Sequence, residues 1–185
     1  LATAEREQRA ERRLAFEKLA LPLAPQLRSA ARRWCSHASA ADDAVQETLL
    51  RAYRTFDAFT PGTNGRAWLF TILYSVCANE RDRARIRNNI ALEEASEAML
   101  ADTMAPQPFA GDLAASRVGR ELNALAEPFR SAVVLVDLAG LSYQEAARAA
   151  ACPIGTLRSR LARGRRALAE KLAHLAPATR RGAAS

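Results

Sequence analysis

The stretch GLSYQEAARAAACPIGTLRSRLARGRR, residues 140–166, decides the fold. Ser142 and Glu145 stand three apart, the spacing of a capping box that starts a helix. A short alanine-rich helix is expected over about Tyr143–Ala151, closed by Cys152-Pro153-Ile154-Gly155, with a second helix from Thr156. Helix, tight glycine-containing turn and helix make a helix-turn-helix pattern. In the second helix Leu157, Leu161, Leu168, Leu172 and Leu175 form one apolar stripe. Thr156, Arg158, Ser159, Arg160, Arg163, Arg165 and Arg166 crowd its first half. A helix lodged in the DNA major groove needs that division: apolar residues dock it on its own domain, and basic residues meet phosphates and base edges. The plainer alternative is a solvated basic face.

Upstream, Val118, Leu122, Leu125, Phe129, Val133 and Val134 are expected to supply the core of the same domain, which starts near Arg117. Residues 91–116 lose helical periodicity and carry Pro106, Pro108 and Gly111, with a helical turn expected near Leu92–Leu100. A segment of this length is too long for a connection inside one compact domain, so it reads as a flexible linker. Before it, a helix is expected over about Arg66–Arg87, apolar in its first half (Trp68 to Tyr74) and basic in its second (Arg81, Arg83, Arg85, Arg87). Thr60-Pro61-Gly62-Thr63-Asn64-Gly65 is a loop signal in front of it.

Another helix precedes that loop. Ser39 with Asp42 resembles a capping box, and Asp42 and Asp43 are expected in the first turn, where the helix dipole favours carboxylates. Val45, Leu49, Tyr53 and Phe56 recur on one apolar face. Asp43, Gln46, Glu47, Leu50, Arg51 and Arg54 occupy the other, and an exposed Leu50 there points to a partner. Further towards the N-terminus, Leu14, Leu19, Leu23, Leu27 and Trp34 mark a helical core face broken at Pro22 and Pro25.

The 185-residue chain is poor in aromatics, and alanine, leucine and arginine dominate it, so an all-α fold is expected. Its net charge of +7 is unevenly spread. Residues 1–90 and 117–185 are both basic, whereas residues 91–116 hold five acids and no base. Two basic blocks on either side of an acidic linker suit a polyanionic partner. Cys35, Cys77 and Cys152 form no CxxC pair, and reduced thiols in a cytoplasmic protein are the expectation, with no zinc site and no cofactor. No apolar run reaches membrane-spanning length, so no membrane insertion is expected. Only His37 and His174 are present, with no nucleophile–histidine–acid arrangement and no phosphate-cradling loop, so no enzyme chemistry and no catalytic residue is expected.

Two blocks then resemble a known family. Asp42-Asp43-Ala44-Val45-Gln46-Glu47-Thr48-Leu49-Leu50-Arg51-Ala52-Tyr53, Phe59 and Arg66-Ala67-Trp68-Leu69-Phe70-Thr71-Ile72 resemble the sigma-two domain of extracytoplasmic-function (ECF) sigma factors of the sigma-70 family. Residues 140–147 and 152–161 resemble their sigma-four domain, in the right order. The resemblance implies two small helical domains, a sigma-two bundle over 10–90 and a sigma-four helix-turn-helix over 117–176, joined by the acidic linker 91–116. It implies that RNA polymerase core binds at Asp42, Asp43, Gln46, Glu47, Leu50 and Arg51. It places the promoter minus-ten element at Asn64, Trp68, Ser75, Asn79, Arg81 and Arg85, with Trp68 either a core residue or a stacking wedge and Asn64 either a turn residue or a reader of a base edge. It places the minus-thirty-five element at Thr156, Arg158, Ser159, Arg160, Arg163 and Arg166. It also implies promoter DNA as a partner and a stress-type regulon, and two basic, partly apolar domains on a flexible linker invite an anti-sigma factor as a clamp. The chain departs from the family pattern at Tyr74-Ser75, where members often carry Arg-Asn, and at Ala162, where larger or polar side chains are frequent. The competing reading is a helix-turn-helix transcriptional regulator that binds no polymerase; it leaves residues 42–54 and the acidic linker without a purpose.

Overall fold

The computed structural model describes residues 2–60, 62–94 and 117–173, and all regular structure among them is helical. Helix α1 (Ala2–Ala20) passes through a 3-10 turn (Leu21–Leu23) into α2 (Ala24–Trp34). The break falls at the two prolines, each in the first two positions of its element, where a missing N–H costs no hydrogen bond. Helix α3 (Ala38–Arg54) and the 3-10 turn Phe56–Ala58 lead to the long α4 (Gly65–Glu94). The second half holds α5 (Arg117–Asn123), α6 (Phe129–Val133) with a π-helical end (Val134–Leu138), α7 (Tyr143–Ala149) and α8 (Ile154–Ala173).

Spacing explains the N-terminal core. Leu27, Ala30, Ala31 and Trp34 of α2 are buried at intervals of three and four, one stripe of a helix. Leu69, Phe70, Leu73, Val76 and Cys77 of α4 bury a matching stripe. Between them α3 contributes mostly small residues, Ala41, Ala44, Val45, Thr48 and Ala52, which let the helices approach closely. Thr48 is fully buried, and its hydroxyl donates to the Ala44 carbonyl at 2.7 Å, so its polar group is satisfied. In the C-terminal half, α8 packs chiefly on α6, with α7 laid across it.

The two halves touch. Helix α4 packs along α7, and α2 meets the π-helical end of α6. Polar contacts tie the seam. The Arg33 guanidinium, 2% exposed, donates to the Gly119 carbonyl at 3.2 Å and to Asn123 Oδ1 at 3.1 Å. Arg66 donates to the Ala139 carbonyl at 3.2 Å, and Arg81 pairs with Glu127 at 3.0 Å. Glu127 also accepts from Arg130 and from the Ser131 hydroxyl, so one carboxylate joins α4 to α6.

The structure corrects several local expectations. The N-cap of α3 is His37, not Ser39: its Nδ1 accepts from the Ala40 N–H at 3.1 Å and lies 2.9 Å from the Ser39 hydroxyl. The helix therefore begins at Ala38, and Asp42 and Asp43 sit beyond its first turn. Leu14 and Val118 are exposed rather than core. On α1 it is Phe16 that is buried, edge-on to Tyr53 and Phe56, each at 5.3 Å. Helix α4 runs to Glu94, past the expected end at Arg87. Helix α7 stops at Ala149, and α8 starts at Ile154 rather than Thr156. Residues 95–116, most of the expected linker, and Leu175 lie outside the described residues.

Candidate functional site

The helix-turn-helix forms as its sequence dictates. The Ser142 hydroxyl accepts from the Glu145 N–H at 3.3 Å, and Glu145 accepts from the Ser142 N–H at 2.8 Å, a complete capping box. Ala151, at φ 47°, makes the turn into α8. Leu157 and Leu161 are buried, whereas Leu168 and Leu172 are half-buried. Gly164 is the buried position that leucine periodicity misses: a Cβ there would stand 2.8 Å from Val133 Cγ2 and 3.0 Å from the Phe129 carbonyl oxygen. This close approach sets α8 against α6.

With that side of α8 fixed, Arg158, Ser159, Arg163 and Arg166 are exposed together, while Thr156 and Arg160 are half-buried. Arg158 lies over the Tyr143 ring at 5.7 Å, and the Ser159 hydroxyl donates to the Thr156 carbonyl at 2.9 Å. Arg165 leaves the cluster. Both arms of its guanidinium bond Asp137, at 3.1 and 2.6 Å, so it orients the helix on its own domain.

Helix α3 presents the second surface. Asp43, Glu47 and Arg51 line a groove with Asn79, Glu80 and Arg83 of α4. Glu47 and Arg51 form an ion pair along α3 at 2.5 Å. Gln46 is exposed and so is Leu50, at 51%, a large apolar side chain beside charged neighbours. Asp42 turns the other way and pairs with Arg28 of α2 at 3.0 Å. The structure thus brings Asp43, Glu47 and Arg51 together and sets Asp42 apart.

The third group lies on the 60–65 loop and α4. Asn64 caps α4, its Oδ1 accepting from the Ala67 N–H at 3.2 Å. Its amide nitrogen donates to Glu145 Oε1 at 2.7 Å, across the seam between the halves. Burial works against ionisation of Glu145, but the Ser142 N–H and hydroxyl and the Asn64 amide outweigh it and hold the carboxyl below its ordinary pKa. Trp68 is half-buried in an aromatic cluster with Phe59, at 4.9 Å, and Phe56. Ser75 is exposed and lines a cleft with Arg51, Arg54 and Thr71. Asn79 and Arg85 are exposed, whereas Arg81 is held by Glu127 and lies over the Tyr74 ring at 5.6 Å.

An α-helical chain with an arginine-faced helix-turn-helix at one end and a polar helix bearing an exposed leucine at the other has the build of a sigma-70-type transcription initiation factor. The sigma-70 region 2 family matches residues 19–86, and the sigma-70 region 4 family matches residues 116–168. The chain belongs to the ECF RNA polymerase sigma factors. It is 37% identical to the ECF RNA polymerase sigma factor EcfG of Rhodopseudomonas palustris over 82% of each chain. It is 30% identical to the RNA polymerase sigma-H factor of Pseudomonas aeruginosa over 91% of each. Among solved structures, it resembles the sigma factor RpoE in complex with the anti-sigma factor NepR from Bartonella quintana. That match has a TM-score of 0.66 and 33% identity, and covers 86% of this chain and 97% of that one. CnrH in complex with the cytosolic domain of CnrY matches with a TM-score of 0.60 and 28% identity, covering 88% and 90%. Sigma factors are initiation factors rather than catalysts. Among the described residues no helix is long and apolar enough to cross a membrane.

Proposed function

We propose that this chain binds RNA polymerase core through the exposed face of α3, reads promoter DNA with both halves, and starts transcription of a stress-type regulon. Residues 10–90 serve core and minus-ten binding, residues 117–176 serve minus-thirty-five binding, and residues 91–116 join them. The observation that carries this reading is one chain holding both an exposed arginine face on a docked recognition helix and a polar helix face that bears the exposed Leu50. Asp43, Gln46, Glu47, Leu50 and Arg51 form the core contact, with Asp42 at its edge, held by Arg28. Arg158, Arg163 and Arg166 meet the minus-thirty-five element, with Thr156, Ser159 and Arg160 beside them. Asn64, Ser75, Asn79, Arg81 and Arg85 meet the minus-ten element, and Trp68 supports that surface from its aromatic cluster.

The packed arrangement of the halves bears on regulation. Asn64 is engaged by Glu145 and Arg81 by Glu127, so promoter reading by these two side chains requires the halves to part. A partner that holds them together keeps the factor silent, and an anti-sigma protein of the kind bound by the RpoE and CnrH relatives fits that part. The chain then acts in the cytoplasm, where polymerase is. The regulator without polymerase binding is not favoured, because the region 2 match covers the half that such a regulator does not need.

Reconstitution tests this. Core polymerase with the purified chain should give run-off transcripts from promoters of its regulon that core alone does not. Tight, sequence-specific promoter binding by the isolated chain at physiological salt, with no effect on core, would overturn the reading.

A further inference from the structure

Cys35 and Cys77 are 42 positions apart in sequence, yet their sulfurs stand 3.8 Å apart. Cys35 ends α2 in extended backbone and leads into the short Ser36–His37 connection, whereas Cys77 sits buried inside α4. The pair opens on a cleft of 390 Å³ lined mostly by the N-terminal half, among others by Arg33, Trp34 and Arg81, with Arg130 contributed by the other half. Neither thiol contributes to the surfaces assigned above to polymerase or DNA.

The two sulfurs are not alike. The neighbouring Cys77 sulfur and the Arg81 charge hold the Cys35 pKa below its ordinary value against the cost of burial. Cys77 is pushed the other way by the neighbouring sulfur and by burial. Cys35 is half-buried on the cleft and Cys77 lies behind it. An accessible thiolate backed by a second thiol is the arrangement of an attacking and a resolving cysteine. Disulfides that form in reducing compartments are characteristically transient and redox-sensing.

We propose that Cys35 and Cys77 form a thiol-oxidation site, at which hydrogen peroxide converts the pair to an intramolecular disulfide. The Cys35 thiolate attacks one peroxide oxygen, the O–O bond breaks, and the departing hydroxide takes up a proton to leave as water. Cys35 is then a sulfenic acid. The Cys77 sulfur attacks the Cys35 sulfur, the S–O bond breaks, and the hydroxide leaves with the Cys77 proton as a second water. Two thiols and one peroxide become one disulfide and two waters; the sulfurs together lose two electrons and the peroxide gains them. The sulfurs must close to about 2.0 Å, and the movement falls to Cys35, on the irregular connection, because Cys77 is fixed in a helix.

The full chain is reduced, freed of reductant, treated with hydrogen peroxide, and alkylated under denaturing conditions for peptide mass spectrometry. The expected product is monomeric, with the Cys35 and Cys77 peptides linked and lighter by two hydrogens, while Cys152 remains alkylated. In Cys77→Ala the sulfenic acid on Cys35 should persist long enough to be trapped by dimedone, and in Cys35→Ser no linked peptide should form. Alkylation of both Cys35 and Cys77 after treatment, oxidation confined to Cys152, an intermolecular disulfide, or irreversible acid on Cys35 without linkage would each overturn the proposal. The wild-type map decides the matter even if Cys77→Ala folds poorly.

Discussion

Replacing Gly164 by alanine puts a methyl group 2.8 Å from Val133 Cγ2 and 3.0 Å from the Phe129 carbonyl oxygen. In an exposed helix interior the same exchange stabilises by roughly 1 kcal/mol, because glycine pays more backbone entropy than alanine. Here that gain meets a contact that cannot relax cheaply. Val133 is itself buried, and the Phe129 oxygen belongs to the backbone of α6, so the helices must move apart. Overpacking of this kind costs about 1–3 kcal/mol. The net expectation is a loss of about 1 kcal/mol, the difference between those two effects. Gly155 on the same helix is the control, since nothing lies within 4 Å of its Cβ position. Gly155→Ala should stabilise by about 0.5 kcal/mol, because it lies in the first turn, where propensity is only partly expressed. Urea unfolding of the full chain, followed by far-ultraviolet circular dichroism, should show the two midpoints moving in opposite directions with unchanged slope. The displaced α8 should also weaken use of the minus-thirty-five element in Gly164→Ala alone. A Gly164→Ala protein as stable as Gly155→Ala would refute the claim that α6 sets the recognition helix by close approach.

Charge reversal at Asp43 or Glu47 should abolish binding to core polymerase and leave the circular dichroism spectrum intact; undiminished affinity in a pull-down would remove that residue from the interface. Arg158→Ala and Arg163→Ala should change stability by less than about 0.5 kcal/mol. Where such an arginine reads a base it should lose about 1–3 kcal/mol of discrimination at one promoter position, measured by transcription from matched and scrambled minus-thirty-five elements. Leu161→Ala should instead open a cavity, cost about 2–5 kcal/mol in urea unfolding, and impair every promoter alike. Glu145 has a folded pKa below its ordinary 4.5, so the stability it contributes is present above that value and fades as pH falls through the folded pKa. Acidification should therefore uncap α7 and release Asn64, and Glu145→Gln should abolish this part of the acid response; parallel acid unfolding of both proteins would count against it.

Much of the helical layout follows from neighbours along the chain. The capping box at Ser142, the prolines at 22 and 25, and the period of Leu157 and Leu161 act within one or two turns, where residue types alone decide the outcome. The polar face of α3 is legible for the same reason, and Leu50 stands out on it because its neighbours are charged. Where two local signals compete, the chain reads less clearly. His37 and Ser39 could each cap α3, and the imidazole takes the Ala40 N–H while the hydroxyl bonds to the ring. Leu14 and Phe16 are both apolar on α1, and only the aromatic pocket of Tyr53 and Phe56 selects Phe16.

Other features arise only when distant segments meet. Arg165 has the same local setting as Arg163 and Arg166, yet Asp137, 28 positions away, turns it from a candidate DNA contact into a support of the helix. Asn64 and Glu145 are 81 positions apart, and the packing of α7 on α4 makes one the partner of the other. Cys35 and Cys77 share no motif, and they meet because the end of α2 packs against the middle of α4. Local periodicity places each residue on a face of its helix; which face of another helix lies opposite depends on how the helices pack, a long-range property that no window along the chain contains.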